Sequence, residues 1–140
     1  MYQLIYISEK TQNFELEDIP RILYSARLNN DLLNVTGILL DLSEHFIQVL
    51  EGNQKDVEST FTKISGDSRH CNIRCIYKQP TINQEFGNWS MGFSPDLNQD
   101  VLQDAIHIAN MFAQKQHLSD IQIDSLRLLL KSLNPEPEIL

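Results

Sequence analysis

A buried strand with a polar site inside it is predicted by the stretch His45-Phe46-Ile47-Gln48-Val49-Leu50-Glu51-Gly52. Side chains alternate between the two faces of a strand, so Gln48 shares a face with Phe46 and Leu50, and the two intervening aliphatic residues take the other face. A buried primary amide that leaves a donor or acceptor unpaired costs about 1–3 kcal/mol. The stretch therefore predicts a polar partner for Gln48 inside the fold.

The composition predicts one soluble domain with a core of its own. The chain has 140 residues, of which 41% are hydrophobic. A net charge of −8 argues against nucleic-acid binding, which needs clustered Lys and Arg. Residues 1–8 lack a basic start and a long apolar run, and no later segment reaches the length of a membrane span. We expect a cytoplasmic protein whose partners are a small ligand or another protein, with no nucleic acid and no membrane.

The two cysteines predict free thiols. Cys71 and Cys75 lie four residues apart on one predicted strand, where they share a face but are too distant to bridge easily. No cluster of His or Cys completes a set of metal ligands, so we expect no metal site.

The spacing of apolar residues predicts an α+β fold. Strands are predicted at residues 2–8, 35–42, 45–51 and 71–77, with a shorter fifth at 89–93. One helix is predicted to end at Asn29-Asn30-Asp31, and a second to run from Gly52-Asn53 to about Gly66-Asp67. This order is that of a ferredoxin-like βαββαβ sheet with both helices on one face. First and third strands are neighbours in that fold, or nearly so, which brings Tyr6 within reach of Gln48.

Two further helices are predicted after Pro95. Their apolar stripes consist of Val101, Ala105, Ile108 and Phe112 in one, and of Leu126, Leu129, Leu130 and Leu133 in the other. We predict one domain at residues 1–95 and a C-terminal helical extension at 96–140. The two stripes exceed what one small sheet can cover, which predicts a contact surface for assembly or for a partner.

Six segments in order carry a resemblance over about residues 2–94: Leu4-Ile5-Tyr6-Ile7-Ser8, Asn29-Asn30, Val35-Thr36-Gly37-Ile38-Leu39, Phe46-Ile47-Gln48-Val49-Leu50-Glu51-Gly52, Asp67-Ser68-Arg69-His70 and Trp89-Ser90-Met91-Gly92. Together they resemble the BLUF family of flavin-binding blue-light sensors, in its short, single-domain form. The resemblance implies a flavin held without a covalent bond between the two helices. FAD is the expected form, with FMN and riboflavin as alternatives.

The resemblance also implies a role for each site residue. Tyr6 would give an electron and then a proton to the photoexcited flavin, and Gln48 would relay that proton and return in a changed orientation or tautomer. The residues expected to bind the cofactor are Tyr6, Ser8, Asn29, Asn30, Gln48, Lys63, Asp67 and His70. Lys63 stands where many members carry arginine, whose two-pronged contact a lysine cannot supply. Trp89 and Met91 would carry the signal away from the pocket.

Other classes of protein stay open at this point. Acylphosphatases share the fold, but they need an arginine on a glycine-bearing loop after the first strand, and the loop at residues 9–13 has neither. A flavin-free regulatory or assembly module would keep the fold and would be colourless. No nucleophile–base pair, metal-ligand set or phosphate loop is found, so we expect no enzymatic activity. A homo-oligomer or a separate regulatory protein would receive the signal.

Overall fold

The computed structural model describes residues 1–42, 44–86, 91–94, 99–113 and 118–132. The elements in chain order are β1 (Tyr2–Lys10), α1 (Asp18–Leu33), β2 (Thr36–Asp41), β3 (His45–Gly52), α2 (Gln54–Ser65), β4 (His70–Pro80), β5 (Gly92–Ser94), α3 (Gln99–Ala113) and α4 (Asp120–Ser132). This is the predicted α+β order, with longer first and fourth strands. Trp89, on the predicted fifth strand, lies outside the described residues.

The five strands form one sheet in the order β4-β1-β3-β2-β5. All neighbouring pairs are antiparallel except β2 and β5, which are parallel. Strand β1 lies beside β3, as the ferredoxin-like order predicts, and Tyr6 is the direct cross-strand partner of Gln48. The sheet therefore brings together two residues that are 42 positions apart in the sequence.

The two faces of the sheet are covered by different helices. The face toward α1 and α2 carries Tyr2, Leu4, Tyr6, Phe46 and Leu50, which pack with Leu23 and Val57. The opposite face carries Ile5, Ile7, Ile47 and Val49, which pack with Ala105, Ile108, Leu126 and Leu130. The predicted alternation of β1 and β3 is confirmed, and both of its faces are buried.

The prediction that the C-terminal stripes exceed what the sheet can cover is wrong for the described residues. Leu126 and Leu130 are fully buried, and Ile108 is 7% exposed, because α3 and α4 lie against the second face of the same sheet. The side chains of Val101, Phe112 and Leu133 lie outside the described residues. The described residues of the two apolar stripes therefore belong to the core of the chain itself.

The end of α1 also differs from the prediction. The helix continues through Asn29 and Asn30 to Leu33, and it ends at Asn34, whose φ of 55° is in the left-handed region. The backbone N–H of Asn34 donates to the carbonyls of Asn30 and Asp31, as in a helix C-cap. The two earlier asparagines thus lie within the last turns of α1, where their side chains face the interior.

No helix in the described ranges has the length and apolar character needed to cross a membrane.

The start of α2 and the two thiols match the sequence predictions. Asn53 is the N-cap, and its side-chain oxygen accepts a hydrogen bond from Lys55 N at 3.0 Å. Cys71 is exposed and Cys75 is partly buried, and both are free thiols. Burial raises the pKa of Cys75 above its ordinary value, which keeps that thiol protonated.

Candidate functional site

A cavity of about 200 Å³ opens between α1 and α2 above the middle of β1 and β3. It is lined by Tyr6, Ile22, Ser25, Ala26, Asn29, Asn30, Leu39, Phe46, Gln48, Thr60, Lys63, Ile64, Asp67, Arg69 and His70. All the predicted cofactor-binding residues except Ser8 are among them. The cavity therefore brings together side chains from both helices, four strands and the segment that joins α2 to β4.

The Tyr6 phenol donates a hydrogen bond to Oε1 of Gln48 at the floor of the cavity. Tyr6 is 2% exposed and Gln48 is 3% exposed, so water does not compete for this bond. Their alignment follows from the antiparallel register of β1 and β3, which places the two Cα atoms opposite each other. Tyr6 is thus the polar partner that the buried amide requires.

The other end of the Gln48 amide faces Met91. Nε2 of Gln48 donates to Sδ of Met91 at 3.2 Å, and Met91 is fully buried. The Met91 carbonyl in turn accepts a hydrogen bond from Nε of Arg27 at 3.1 Å. A thioether sulfur is a weak acceptor. The amide is therefore held firmly through its oxygen and weakly through its nitrogen.

The surroundings of Tyr6 keep its phenol protonated. Burial raises the pKa of Tyr6 far above its ordinary value, and the negative charge of Asp67 adds to the effect. The ring is fixed by Phe61, at 5.5 Å between centroids, and by an edge contact with His70 at 6.2 Å. At neutral pH Tyr6 therefore keeps its proton and acts as a hydrogen-bond donor.

His70 is held from both sides by α2 and β1. Its Nε2 lies 2.7 Å from the carbonyl oxygen of Ile64, and its Nδ1 lies 2.8 Å from Oγ of Ser8. A carbonyl can only accept, so Nε2 carries the proton and, in the neutral ring, Nδ1 accepts from the Ser8 hydroxyl. Ser8 is fully buried behind His70 and does not line the cavity. Ser8 therefore contacts the site only through His70 among the described residues.

Arg69 lines the cavity although no binding role was predicted for it. Its Nη2 lies 2.6 Å from Oδ2 of Asp67, and its Nε lies 2.9 Å from Oδ1. The backbone N–H of Arg69 also donates to Oδ1 at 2.9 Å. Hydrogen bonds from the Arg69 side chain hold the pKa of Asp67 below its ordinary value, against the smaller effect of burial. The two residues form one fixed ion pair at the rim.

The helices meet across the cavity through Asn29. Its Nδ2 donates to Oγ1 of Thr60 at 3.3 Å, and its Oδ1 accepts from Nζ of Lys63 at 2.9 Å. Asn30 follows it on the same turn and is 1% exposed. Thr60 was not predicted as a site residue. The signal that could have found it is a lone hydroxyl within the apolar stripe of α2.

The lining suits a flat ring with one polar edge. The apolar walls come from Ile22, Leu39, Phe46 and Ile64, while amide groups project from α1 and β3. A pocket that is mostly apolar and has a few convergent polar groups is typical of a cofactor site. Within the described ranges no group of His, Cys, Asp and Glu could hold a metal ion. Fold and cavity together define a ferredoxin-like domain with a cavity between its helices that suits a flat aromatic ligand.

Comparison with known proteins identifies the family. Residues 1–92 match the family model described as "BLUF: Sensors of blue-light using FAD". The chain belongs to the BLUF family of blue-light sensors, which confirms the resemblance seen in the sequence.

Relatives and solved structures agree with this assignment. The chain is 33% identical over 91 residues to the photoactivated adenylate cyclase subunit alpha of Euglena gracilis, over 64% of this chain and 9% of the relative. The chain thus spans about a tenth of the length of that relative. Among solved structures, the photo-activated state of BlsA matches with a TM-score of 0.82 and 28% identity, covering 98% of this chain and 99% of that one. The dark state of BlrB, a BLUF protein, matches with a TM-score of 0.75 and 26% identity, over 94% and 95% of the two chains.

Proposed function

We propose that this chain senses blue light through one flavin held noncovalently between α1 and α2, and that the flavin is FAD. The observation that carries the proposal is the buried series from Tyr6 through Gln48 to Met91, which lies at the floor of a cavity suited to a flat ring. The description of the family supports FAD. FMN and riboflavin are the alternatives, because the recognisable site residues surround a ring and not a diphosphate.

The photochemistry begins at Tyr6. A bound flavin supplies the absorption of blue light and, once excited, a site that accepts an electron. Tyr6 gives up that electron and then the proton on its phenol oxygen. The hydrogen bond to Gln48 Oε1 provides the first acceptor for this proton. Electron and proton both return to Tyr6, so the cycle involves no net oxidation.

Gln48 retains the effect of light after the electron has returned. Its amide can end in a changed orientation or tautomer, because the bond from Nε2 to the Met91 sulfur is weak and releases at little cost. The new state differs from the old one by rearranged hydrogen bonds around one amide. Met91 senses that difference directly, since it packs against the amide nitrogen.

The remaining predicted residues would hold the ring. Asn29 and Asn30 project from α1, and Asn30 is buried where a polar ring edge would meet it. Lys63 reaches the cavity from α2 as a compact positive charge, and one of its N–H groups donates to Oδ1 of Asn29. The pair of Asp67 with Arg69 closes the rim near His70, and Ser8 contributes by orienting that histidine. Each of these assignments is a proposal about binding.

The signal would leave through Met91, which is buried against Gln48, and through Trp89 toward a protein contact. An effector as receiver is supported by a relative, a photoactivated adenylate cyclase subunit of which the matched domain forms 9%. We keep the predictions that this chain has no enzymatic activity of its own and that a homo-oligomer or a separate regulatory protein receives the signal. The two free thiols agree with the predicted cytoplasmic location.

The absorption spectrum of the purified protein before and after blue light tests the function. We expect a yellow protein with a small red shift that reverses in the dark, with the flavin again oxidised. A colourless protein that takes up no added flavin would support the flavin-free regulatory module instead. Irreversible bleaching would contradict the mechanism at Tyr6 and Gln48 but not flavin binding.

A further inference from the structure

The outer face of α1 carries three exposed apolar side chains, which together we call the α1 stripe. Tyr24 is 67% exposed, Leu28 is 51% exposed and Leu32 is 84% exposed. They follow one another at intervals of four residues, so they form one ridge along the helix. The residues of the same helix that pack with the core lie on its other side: Ile19, Ile22, Leu23, Ala26 and Leu33. Helix α1 therefore presents one apolar face to the core and a second one to solvent.

Charged residues of opposite sign stand toward the two ends of the α1 stripe. Arg21 lies about one turn before Tyr24, with its side chain 71% exposed, and the exposed Asp31 lies in the last turn of the helix. At about 100° of rotation per residue, both charges fall on the same face as the stripe. An acidic side chain near a helix C-terminus opposes the helix dipole, so the position of Asp31 does not stabilise α1 itself. A contact outside the chain would account for a negative charge at this place.

The outer face of α1 is complementary to a second copy of itself in the antiparallel direction. Tyr24 and Leu28 are centred on the height of Ala26 along the helix, and this height is also the midpoint between the two charges. A twofold axis at this height places Tyr24 of each copy against Leu28 of the other. The same axis places Arg21 against Asp31 at both ends of the contact. A parallel pairing would instead set each charge against a charge of the same sign.

The contact would be weak, although its charges are accessible. Nη1 of Arg21 lies 3.5 Å from Oδ1 of Asp18, and an exposed pair of this kind contributes little to stability, so Arg21 can exchange that partner at little cost. The pairing of one helix face with another belongs to the smallest interfaces, which bury less than about 1,200 Å² and form transient complexes. The net charge of −8 on each copy also opposes close approach. We expect a dissociation constant on the order of 10–100 µM.

We propose that the outer face of α1 is the interface of a homodimer: the α1 stripe of each copy packs antiparallel against that of the other, with an Arg21–Asp31 pair at each end. The inference goes beyond the proposed function and does not depend on it, because the cavity lies on the other side of α1. The partner is a second copy of this chain. Its contact lies on the helix that supplies Asn29 and Asn30 to the cavity, and not on α4, whose Leu126 and Leu130 lie in the core.

Sedimentation equilibrium of the whole chain in the dark, from about 1 to 500 µM, tests the proposal through the expected monomer–dimer equilibrium. Leu28→Glu places a charge at the centre of the contact and should weaken the dimer at least about tenfold. Ile121→Glu makes the same kind of change at a 79% exposed position of α4 and is the matched control, with the dissociation constant of the parent. A parent that stays monomeric throughout this range would overturn the proposal. So would a dimer that Leu28→Glu leaves intact or that Ile121→Glu weakens as much.

An exchange of the two charges tests the antiparallel arrangement. Arg21→Glu sets two acidic residues against each other and Asp31→Arg sets two arginines together, so each variant should weaken the dimer about threefold or more. The double variant restores opposite charges at both ends, and its dissociation constant should return to within about threefold of that of the parent. Such a recovery cannot result from misfolding, because the double variant carries both changes. Losses that add in the double variant would overturn the proposal, whereas a colourless parent that still dimerises would count against the proposed function alone.

Discussion

Tyr6 stands directly opposite Gln48 across the β1–β3 pair, and its phenol donates a hydrogen bond to the amide oxygen. Because the two residues are paired by the backbone ladder, their contact does not depend on a flexible loop. A change at either side chain should therefore alter the hydrogen bonds and leave the shape of the pocket intact. The role of the Tyr6–Gln48 hydrogen bond can therefore be tested with substitutions that keep the size of each side chain.

Tyr6→Phe and Gln48→Leu are expected to keep the flavin bound and to abolish the red shift. Each variant removes one partner of the buried hydrogen bond but retains the bulk that lines the cavity. Light-minus-dark difference spectra give the result. The control is Tyr24→Phe, since Tyr24 is 67% exposed on α1 and should not affect the spectrum. A Tyr6→Phe variant that shifts normally would mean that another residue reduces the flavin, with Trp89 the first to test.

Asn30→Ala is expected to lower flavin occupancy about tenfold or more. The side chain is buried at the cavity, and the loss of its bonds to a polar ring edge would cost about 1–3 kcal/mol. The ratio of flavin absorbance to protein absorbance after purification measures occupancy. Asn13→Ala, at an exposed loop position, is the matched control. Equal occupancy in the two variants would leave Asn30 with a structural role only.

Leu126→Ala is expected to destabilise the protein by about 2–5 kcal/mol, because it opens a cavity where α4 meets the sheet. Leu128→Ala lies two positions along the same helix, 68% exposed, and should change the free energy of unfolding by less than about 0.5 kcal/mol. Urea denaturation of both variants measures the difference. Similar small effects at the two positions would show that α4 does not belong to the core.

Asp67→Asn should weaken the protein at neutral pH by up to about 1 kcal/mol, since the ion pair with Arg69 is partly exposed. The pKa of Asp67 is lowered in the folded state by the Arg69 hydrogen bonds, so the pair stabilises the fold above the unfolded pKa of about 3.9. That stabilisation is lost as the pH falls through the folded pKa. The difference in unfolding free energy between parent and variant should therefore shrink as the pH falls below about 4. A difference independent of pH would mean that the backbone contact of Asp67, and not its charge, stabilises the turn.

The parts of the fold that follow from local periodicity were predictable. The alternation around Gln48 and the cap at Asn53 depend on neighbours in the sequence, and both are confirmed. The end of α1 was not predictable from local sequence. Asn29 and Asn30 each lower the stability of a helix by less than about 1 kcal/mol, and burial in the tertiary structure outweighs this low helix propensity. The residue that stops the helix is Asn34, where the backbone turns left-handed.

The far side of the sheet could not be predicted from single positions. The periodicity of α4 shows its apolar stripe but not which surface the stripe covers. The contacts of Gln3 and Arg127 join residues 124 positions apart, and neither residue type signals burial on its own. The residues that line the cavity could be proposed from the sequence because they lie in short motifs, whereas the contact of Gln3 with Arg127 depends on how helix and sheet pack.

Covering both faces of the sheet leaves β4 as a long open edge, since within the described ranges it pairs with β1 alone. An open edge can add strands from other chains and so promote aggregation. Here Arg74 and Lys78 place charges along the strand, Pro80 ends it, and Asn72 adopts a φ of 51° beside an irregularity in the register. These are the devices by which natural sheets discourage unwanted pairing. These features therefore disfavour the addition of a strand from another chain at the β4 edge of the sheet.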